Sequence, residues 1–485
     1  YGVLEIDDVM DMTLSAEIIM IQGDLAQLVA GYADEPYQNN FELILRGNHY
    51  TPDQPLPNGP NLGAKALGVF GKLQMHGKNV GTTWTRLAED AAVGSNTIVL
   101  SEEVDPLYWS AGAEIIIAPT GFEPLESEKM TIESIDGNTI TLTESLMYEH
   151  LGSEYSAGDK SWKIAAEVGL LTRNIKIVGE EYDEIGEEEF GARVLVAEFM
   201  QEGTTYKGYA KFSNVEFVRA GQEGWVDAFD PRYGLAFVNH GESTDNDENN
   251  KESYVKKCAF NYNYNAAIGV FGSDNILIED NVVFRTLEYG LRDEGVGNRW
   301  IHNMIVLTRF VGIHKNHRQN FFKRGCFNFL EALDPEFRDN AAAGCERAGM
   351  TATGHICSSA KRWSNNVIHT TQDGIFVNTY NPAIWRENKE CVVFRGFFVY
   401  KVDSKQRLFS RPFTAVESEE SSTFKELTVV HETWTNEEIL TEFAGKTVGH
   451  YTDNKAVTYI MSGGSRSPRL QKLCLEIFLA LKKYR

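Results

Sequence analysis

Apolar and polar residues alternate at spacing two through much of this chain, in short runs closed by Gly, Asn or Asp. Between Tyr254 and His314 the alternation itself repeats. Gly269, Gly290 and Gly312 each precede an apolar step, at intervals of 21 (269 to 290) and 22 (290 to 312) residues. Cys258, Asn281 and Asn303 run in phase with them, at intervals of 23 (258 to 281) and 22 (281 to 303) residues. A period in the low twenties is too short for helix pairs and too short for one turn to bury a core of its own. Neighbouring turns must therefore stack, and the pattern predicts a solenoid, a right-handed parallel β-helix.

The flanks divide the chain into three parts. Residues 1–165 read as all-β, with apolar runs at 16–21, 41–46, 66–75, 97–100, 114–118, 129–135 and 139–143. The stretch IDGNTITL, 135–142, predicts a hairpin with a Gly-Asn turn. Residues 166–400 carry eight to ten solenoid turns, interrupted by an acidic, Asn-rich insertion at 241–252 and by a Gly- and Ala-rich insertion at 316–359 that holds a short helix. From 401 to 485 the repeat fades into a C-terminal extension. Residues 470–485 have helical spacing and a basic end, suited to a cap or a docking helix.

Charge narrows the partners. Sixty-nine Asp and Glu against 46 Lys and Arg leave a formal net charge of −23, which argues against nucleic acid and anionic membranes. No run of eighteen apolar residues offers a membrane span. The chain begins at Tyr1, as a processed or excised piece would. Six Cys over this length make no disulfide scaffold, but Cys345 and Cys357 flank a loop they can close by pairing.

The N-terminal third resembles the G-eight domain, a β-rich module named for its glycines. The resemblance rests on FELILRGNHY (41–50), GAKALGVFGKLQMHGK (63–78), WSAGAEIIIAPTGF (109–122) and MTIESIDGNTITLTESLMYEHLG (130–152). AEVGLLTRNIKIVGE (166–180) is similar to the entry into the β-helix that follows this domain in its carriers. DPRYGLAFVNHG (230–241) and the repeat after it resemble the fibrocystin-like group more than the secreted and cell-surface hyaluronidase group. The resemblance implies an all-β fold, a G-eight domain followed by a right-handed parallel β-helix, and an extracellular, cell-surface or ciliary location. The hyaluronan-processing relatives carry a strand of the type Arg-Tyr-Pro-Ile-His-Phe-His. Here Ala236 and Val238 stand at its two His positions. That departure favours a structural, adhesion or assembly module over a hyaluronan-like polysaccharide depolymerase or binding protein; a filament subunit is the third alternative.

Candidate chemistry follows from the repeat register. Equivalent residues on successive turns stack about 4.7–4.9 Å apart. Glycan hydrolysis needs two suitably spaced carboxylates, and a lyase needs a base with a charge neutraliser such as Arg or Ca²⁺. Asp293 and Glu294 are the candidate carboxylates, with His314 and His302 as candidate imidazoles. Arg292, Lys315, His317 and Arg318 would bind an anionic sugar. Arg292 and His314 are expected on one step, and His302 beside Asp280. The bland alternative is a solvated corner with incidental pairing. Asn281, Asn303 and Asn366 are expected to form a ladder of stacked amides. The acidic run 180–189 is a candidate for Ca²⁺, but it lacks alternating ligand spacing and reads more readily as a solvated loop. Zinc motifs, phosphate loops and nucleophile elbows are missing from the sequence, so no cofactor is otherwise implied.

Overall fold

The fold is known from a computed structural model. It describes residues 2–402 apart from 158–159, 225–227, 244–251, 311–323, 354, 357–362, 379–389 and 392–397. The chain divides into two compact units, Tyr1–Asp403 and Ser404–Arg485, and the second lies outside the described residues.

Three parallel ladders build the first unit, and each solenoid turn adds one strand to each. One ladder begins Met12–Ala16, Phe41–Leu45, Ile175–Gly179 and Val215–Val218, and runs on to Met304–Arg309, Ala341–Thr353 and Val367–Asn378. A second stacks Ala66–His76, Arg193–Gln201, Leu235–Glu242, Ile268–Asp274, Leu291–Glu294 and Gly325–Phe329. The third runs from Val3–Glu5 to Trp363–Ser364. Alternation sends one face of every ladder inward. Leu43, Ile177, Phe217, Phe260, Val283, Ile305, Ala342 and Ile368 thus form one buried column in the core. The rings of Phe217 and Phe260 stack at 4.4 Å, and burying each such side chain contributes about 1.5–3 kcal/mol.

Several expectations change here. Parallel strands already form at Val3–Glu5 and Met12–Ala16, so the solenoid begins well before residue 166. What separates its early turns is a six-stranded antiparallel sheet drawn from residues 84–170. Its hairpin joins Glu128–Asp136 to Thr139–Leu142 through Gly137 and Asn138, as the sequence indicated. Gly137, at φ 60°, supplies the positive φ that a tight turn requires. The sheet packs on the first ladder through Trp84, Ile116, Ala118 and Leu171 against Val282, Phe284, Met304, Val306, Ala341 and Ala343.

That contact also explains why residues 316–359 are not one insertion. Gly325–Phe329, Glu336–Arg338 and Ala341–Thr353 are regular parallel strands, and the described part contains no helix. The alanines resemble loop composition, yet their small side chains let the antiparallel sheet approach the solenoid. Of the 241–252 insertion, Glu242 still belongs to a strand and 244–251 lie outside the described residues.

The disulfide expectation is also corrected. Cys345 bonds Cys326, with Cα atoms 5.9 Å apart. Cys357 lies outside the described residues. Gly325–Phe329 stacks on the far half of Ala341–Thr353, with Gly325 opposite Ala348, while Cys345 stacks on Thr308 of the preceding turn, so the Cys326–Cys345 bond ties successive solenoid turns.

Candidate functional site

The outer face of the second ladder changes character along its length. On its early turns Phe70, Leu195, Ala197, Ala236, Val238 and Phe271 point outward, and Leu56, Leu62, Phe199 and Tyr233 cover them. Ala236 and Val238 are fully buried there. At Leu291–Glu294 the outward positions become Arg292 and Glu294.

The glycine steps proved to be out of register. Gly269 stacks on Arg292, two residues beyond Gly290, whereas Ala267 donates to the Gly290 carbonyl. The two glycines exist for different reasons. A Cβ at Gly269 would lie 1.9 Å from Cδ2 of Tyr233, whose ring crosses the strand. A Cβ at Gly290 would lie 2.5 Å from the Cys326 carbonyl oxygen. Arg292 in turn stacks on Asn328, so the expected step with His314 does not define this ladder. His314, Lys315, His317 and Arg318 lie outside the described residues.

Tyr233 organises what remains. Arg292 Nη1 donates to the Tyr233 hydroxyl at 3.0 Å, and its guanidinium lies over the Phe271 and Tyr289 rings at 5.3 and 5.4 Å. Glu294 ion-pairs with the same guanidinium. Burial pushes the Glu294 carboxyl up to about 7; Arg292 opposes the rise and Glu331 adds to it. The outer face therefore holds a half-buried carboxyl raised towards neutrality, paired with Arg292 and hydrogen-bonded to Glu331.

Asp293 is not its catalytic partner. Alternation turns it inward, stacked on Val270 within the core column. There the carboxylate accepts from Gly295 N, Asn298 Nδ2 and Trp300 Nε1, each at 2.8 Å. Burial pushes it up to about 6 against those three donors. A carboxylate enclosed in the solenoid interior cannot reach a polysaccharide.

His302 and Asp280 do meet, through Nδ1 and Oδ1, at an outer corner where both residues have positive φ, 52° and 62°. The His302 ring stacks on Trp84 at 4.3 Å, and Trp84 Nε1 donates to the His302 carbonyl at 3.0 Å. Thr83 Oγ1 donates to Asp280 Oδ1 at 3.4 Å. The pair thus ties the antiparallel sheet to the solenoid. Asp280 also borders a shallow cleft of about 200 Å³ lined by His76, Lys256, Lys257 and Glu279.

The asparagines form a continuous ladder with one member the sequence reading omitted. Asn281 Nδ2 donates to Asn303 Oδ1 (2.8 Å), Asn303 Nδ2 to Asn340 Oδ1 (3.0 Å) and Asn340 Nδ2 to Asn366 Oδ1 (3.0 Å). Each Oδ1 also accepts the backbone N–H one turn away, and at the upper end Asn281 Oδ1 accepts from Cys258 N. Asn340 escaped notice because the turn before it is longer, 37 residues against 22.

The acidic run 180–189 is engaged locally. Tyr182 Oη donates to Glu188 Oε2 at 2.7 Å, and His49 Nδ1 lies 2.6 Å from Glu188 Oε1. Among the described residues no three His, Cys, Asp or Glu side chains group to hold a metal ion.

An antiparallel sheet module clamped to a parallel β-helix defines a class, and comparison with known proteins assigns the chain to it. The G8 domain model matches residues 1–88, and the CEMIP beta-helix model matches residues 190–382. Human fibrocystin-L is 37% identical over 398 residues, which cover 78% of this chain and 9% of that protein. Mouse fibrocystin-L is 36% identical over the same shares. Dog fibrocystin is 29% identical over 82% of this chain and 9% of its own length. The chain belongs to the fibrocystin-like family and spans about 9% of the length of these relatives. Among solved structures, the Gp54 tailspike of Acinetobacter baumannii bacteriophage AP22, in complex with capsular saccharide, matches 82% of this chain and 64% of its own. It does so at 11% identity and a TM-score of 0.18, too low to carry an argument.

Proposed function

We propose that the chain is a rigid, non-catalytic module of an extracellular fibrocystin-like protein, serving adhesion, assembly or ligand recognition at a cell surface or cilium. The observation that carries this reading is the sealed outer face. Ala236 and Val238 are buried beneath an apolar cover, and Asp293 is turned into the core. Among the described residues the carboxyls that do meet beside Arg292, Glu294 and Glu331, hydrogen-bond directly to each other, closer than the spacing hydrolysis uses. The Cys326–Cys345 bond supports an oxidising compartment, such as the secretory pathway and cell surface. One observation favours the second reading, a glycan-processing or glycan-binding site. Glu294, pushed up to about 7 beside Arg292 and Tyr233, has the character of a general acid.

The test is incubation of the purified chain with hyaluronan and related glycans, with Ca²⁺ or with EDTA, followed by sizing of the polymer. Intact polymer is expected in every arm. Shortening that disappears in Glu294→Gln would overturn the reading and make Glu294 the proton donor.

A further inference from the structure

The cover over the sealed outer face is a loop with a chemical weak point. Residues 53–63 cross the second ladder and press Leu56 and Leu62 onto it. Leu62 is fully buried, and its Cδ1 lies 3.0 Å from where a Cβ on Gly68 would stand. The stem of the loop is fastened. Gln54 N donates to Gly63 O (2.9 Å), Leu62 N to Gln54 O (3.2 Å), Asn61 N to Phe229 O (2.6 Å) and Arg193 Nη2 to Asn61 O (3.2 Å). The tip, Pro57 to Pro60, is left free: among the described residues neither the Gly59 N–H nor the Asn58 side-chain amide has a hydrogen-bond partner. Asn58 is also exposed.

Two separate demands place Asn58 and Gly59 side by side. Asn58 has φ 48°, a left-handed conformation that Asn tolerates better than most residues and that suits the position after Pro in a tight turn. Gly59 is required by packing, because a Cβ there would lie 2.4 Å from the Cβ of Phe199, itself part of the apolar cover. Asn followed by Gly occurs nowhere else in the chain. The ladder amides Asn281, Asn303, Asn340 and Asn366 are the contrast. They are buried and hydrogen-bonded, and each is followed by Val, Met or Ala, whose Cβ shields the next nitrogen.

We propose that Asn58 is a self-modification site, at which loss of ammonia converts the loop tip to isoaspartate and loosens the cover. The Gly59 nitrogen gives its proton to solvent base and attacks Asn58 Cγ. An N–Cγ bond forms, the Cγ–Nδ2 bond breaks, and the amide nitrogen leaves as ammonia with a proton returned from water. The five-membered imide then takes up water. Opening at Cγ restores the main chain with an aspartate side chain, whereas opening at the backbone carbonyl leaves the chain running through Cγ, one carbon longer. Water enters, ammonia leaves, and nothing is oxidised or reduced. The added carbon and the new negative charge fall where Gly59 has no spare room against Phe199, so Leu56 and Leu62 must shift. The outer face, Ala236 and Val238 included, then loses part of its seal. The proposal does not depend on whether the Arg292–Glu294 face binds a glycan.

The test is storage of the purified whole chain at neutral pH and body temperature, with samples digested by trypsin over time. The fragment 47–65, bounded by Arg46 and Lys65, is expected to gain one mass unit, faster at higher pH, with fragmentation placing the gain at Asn58 and not at Asn48 or Asn61. An isoaspartyl-directed methyltransferase should label the aged chain. Asn58→Gly keeps a residue suited to positive φ and removes the amide, so it should fold alike and take no label at this loop. Amide exchange along Arg193–Gln201 should lose protection in the aged natural chain and keep it in the aged Asn58→Gly chain. No gain at Asn58, or a gain no faster than at Asn48 and Asn61, would overturn the proposed site. A gain with unchanged protection along Arg193–Gln201 would overturn the loosening.

Discussion

Replacing Asn303 by alanine tests whether the amide ladder holds the solenoid together. The side chain makes four hydrogen bonds, all buried. Its Oδ1 accepts from Asn281 N (3.2 Å) and Asn281 Nδ2 (2.8 Å), and its Nδ2 donates to Ile278 O and Asn340 Oδ1 (both 3.0 Å). In the variant Asn281 Nδ2 keeps Val255 O, and Asn340 Oδ1 keeps the backbone N–H of residue 303. Asn281 N–H keeps nothing. One orphaned buried donor costs about 1–3 kcal/mol, and the three other bonds contribute about 0.5–1.5 kcal/mol each. The expected loss is therefore about 2.5–7.5 kcal/mol, reduced if a water enters the space left by the amide. Stacked repeats depart from two-state unfolding, so the measurement is native-state amide exchange beside the urea midpoint. Exchange should quicken first at Asn281 and its neighbours on the adjoining turns. Gln201→Ala is the control, because its side chain makes only an exposed 3.4 Å contact with Gln22. An Asn281 amide as protected as before, with a loss below about 1 kcal/mol, would refute the assignment of the ladder as a principal restraint.

Two further outcomes are expected. His240 is fully buried and neither ring nitrogen makes a hydrogen bond of good geometry. Burial first, and then Lys207, depress it to about 4 from 6.5. A His depressed in the fold stabilises it above the unfolded value and loses that contribution as pH falls from 6.5 towards 4, about 3 kcal/mol in all. Asp293, raised from 3.8 to about 6, acts with the opposite sign between those values, so the informative quantity is the difference between the natural chain and His240→Phe. Relative to His240→Phe, the urea midpoint of the natural chain should fall as pH drops from 8 to 4, and parallel curves would contradict the account. Reduction of Cys326–Cys345, which are 19 residues apart, should cost about 3 kcal/mol through the freed loop. The check is the unfolding midpoint with and without dithiothreitol, using Cys345→Ser as the reference that reductant leaves unchanged.

The period of the solenoid was legible because it is written in residues that obey one geometric rule. Asn281, Asn303 and Asn366 each precede the first strand of a turn, and the amide at that corner bonds to its equivalents above and below. The glycines misled because no such rule binds them. Gly269 yields to the Tyr233 ring and Gly290 to the Cys326 carbonyl, two unrelated intrusions that fall about one period apart. A slip of two residues keeps every side chain on its own face, so alternation could not expose the error. The same parity decides the fate of the candidate site. Adjacent residues in a strand face opposite sides, so Asp293 and Glu294 were never able to act together on one substrate. With Arg292 and Glu294 outward, Asp293 must enter the core, and it survives there only because Trp300, Asn298 and Gly295 supply three donors. What no local pattern contained were the contacts made over long separations. Glu167 Oε2 meets His369 Nε2 at 2.8 Å, and Arg86 Nε donates to Glu167 Oε1 at 3.1 Å, fastening the antiparallel sheet to a late solenoid turn. That carboxyl is held down to about 2 by His369 and then Arg86, in spite of its burial, so it arrives as a charge with its partners already in place. Such a triad needs three positions from distant segments to converge, and it is there that the sheet module and the rod become one body.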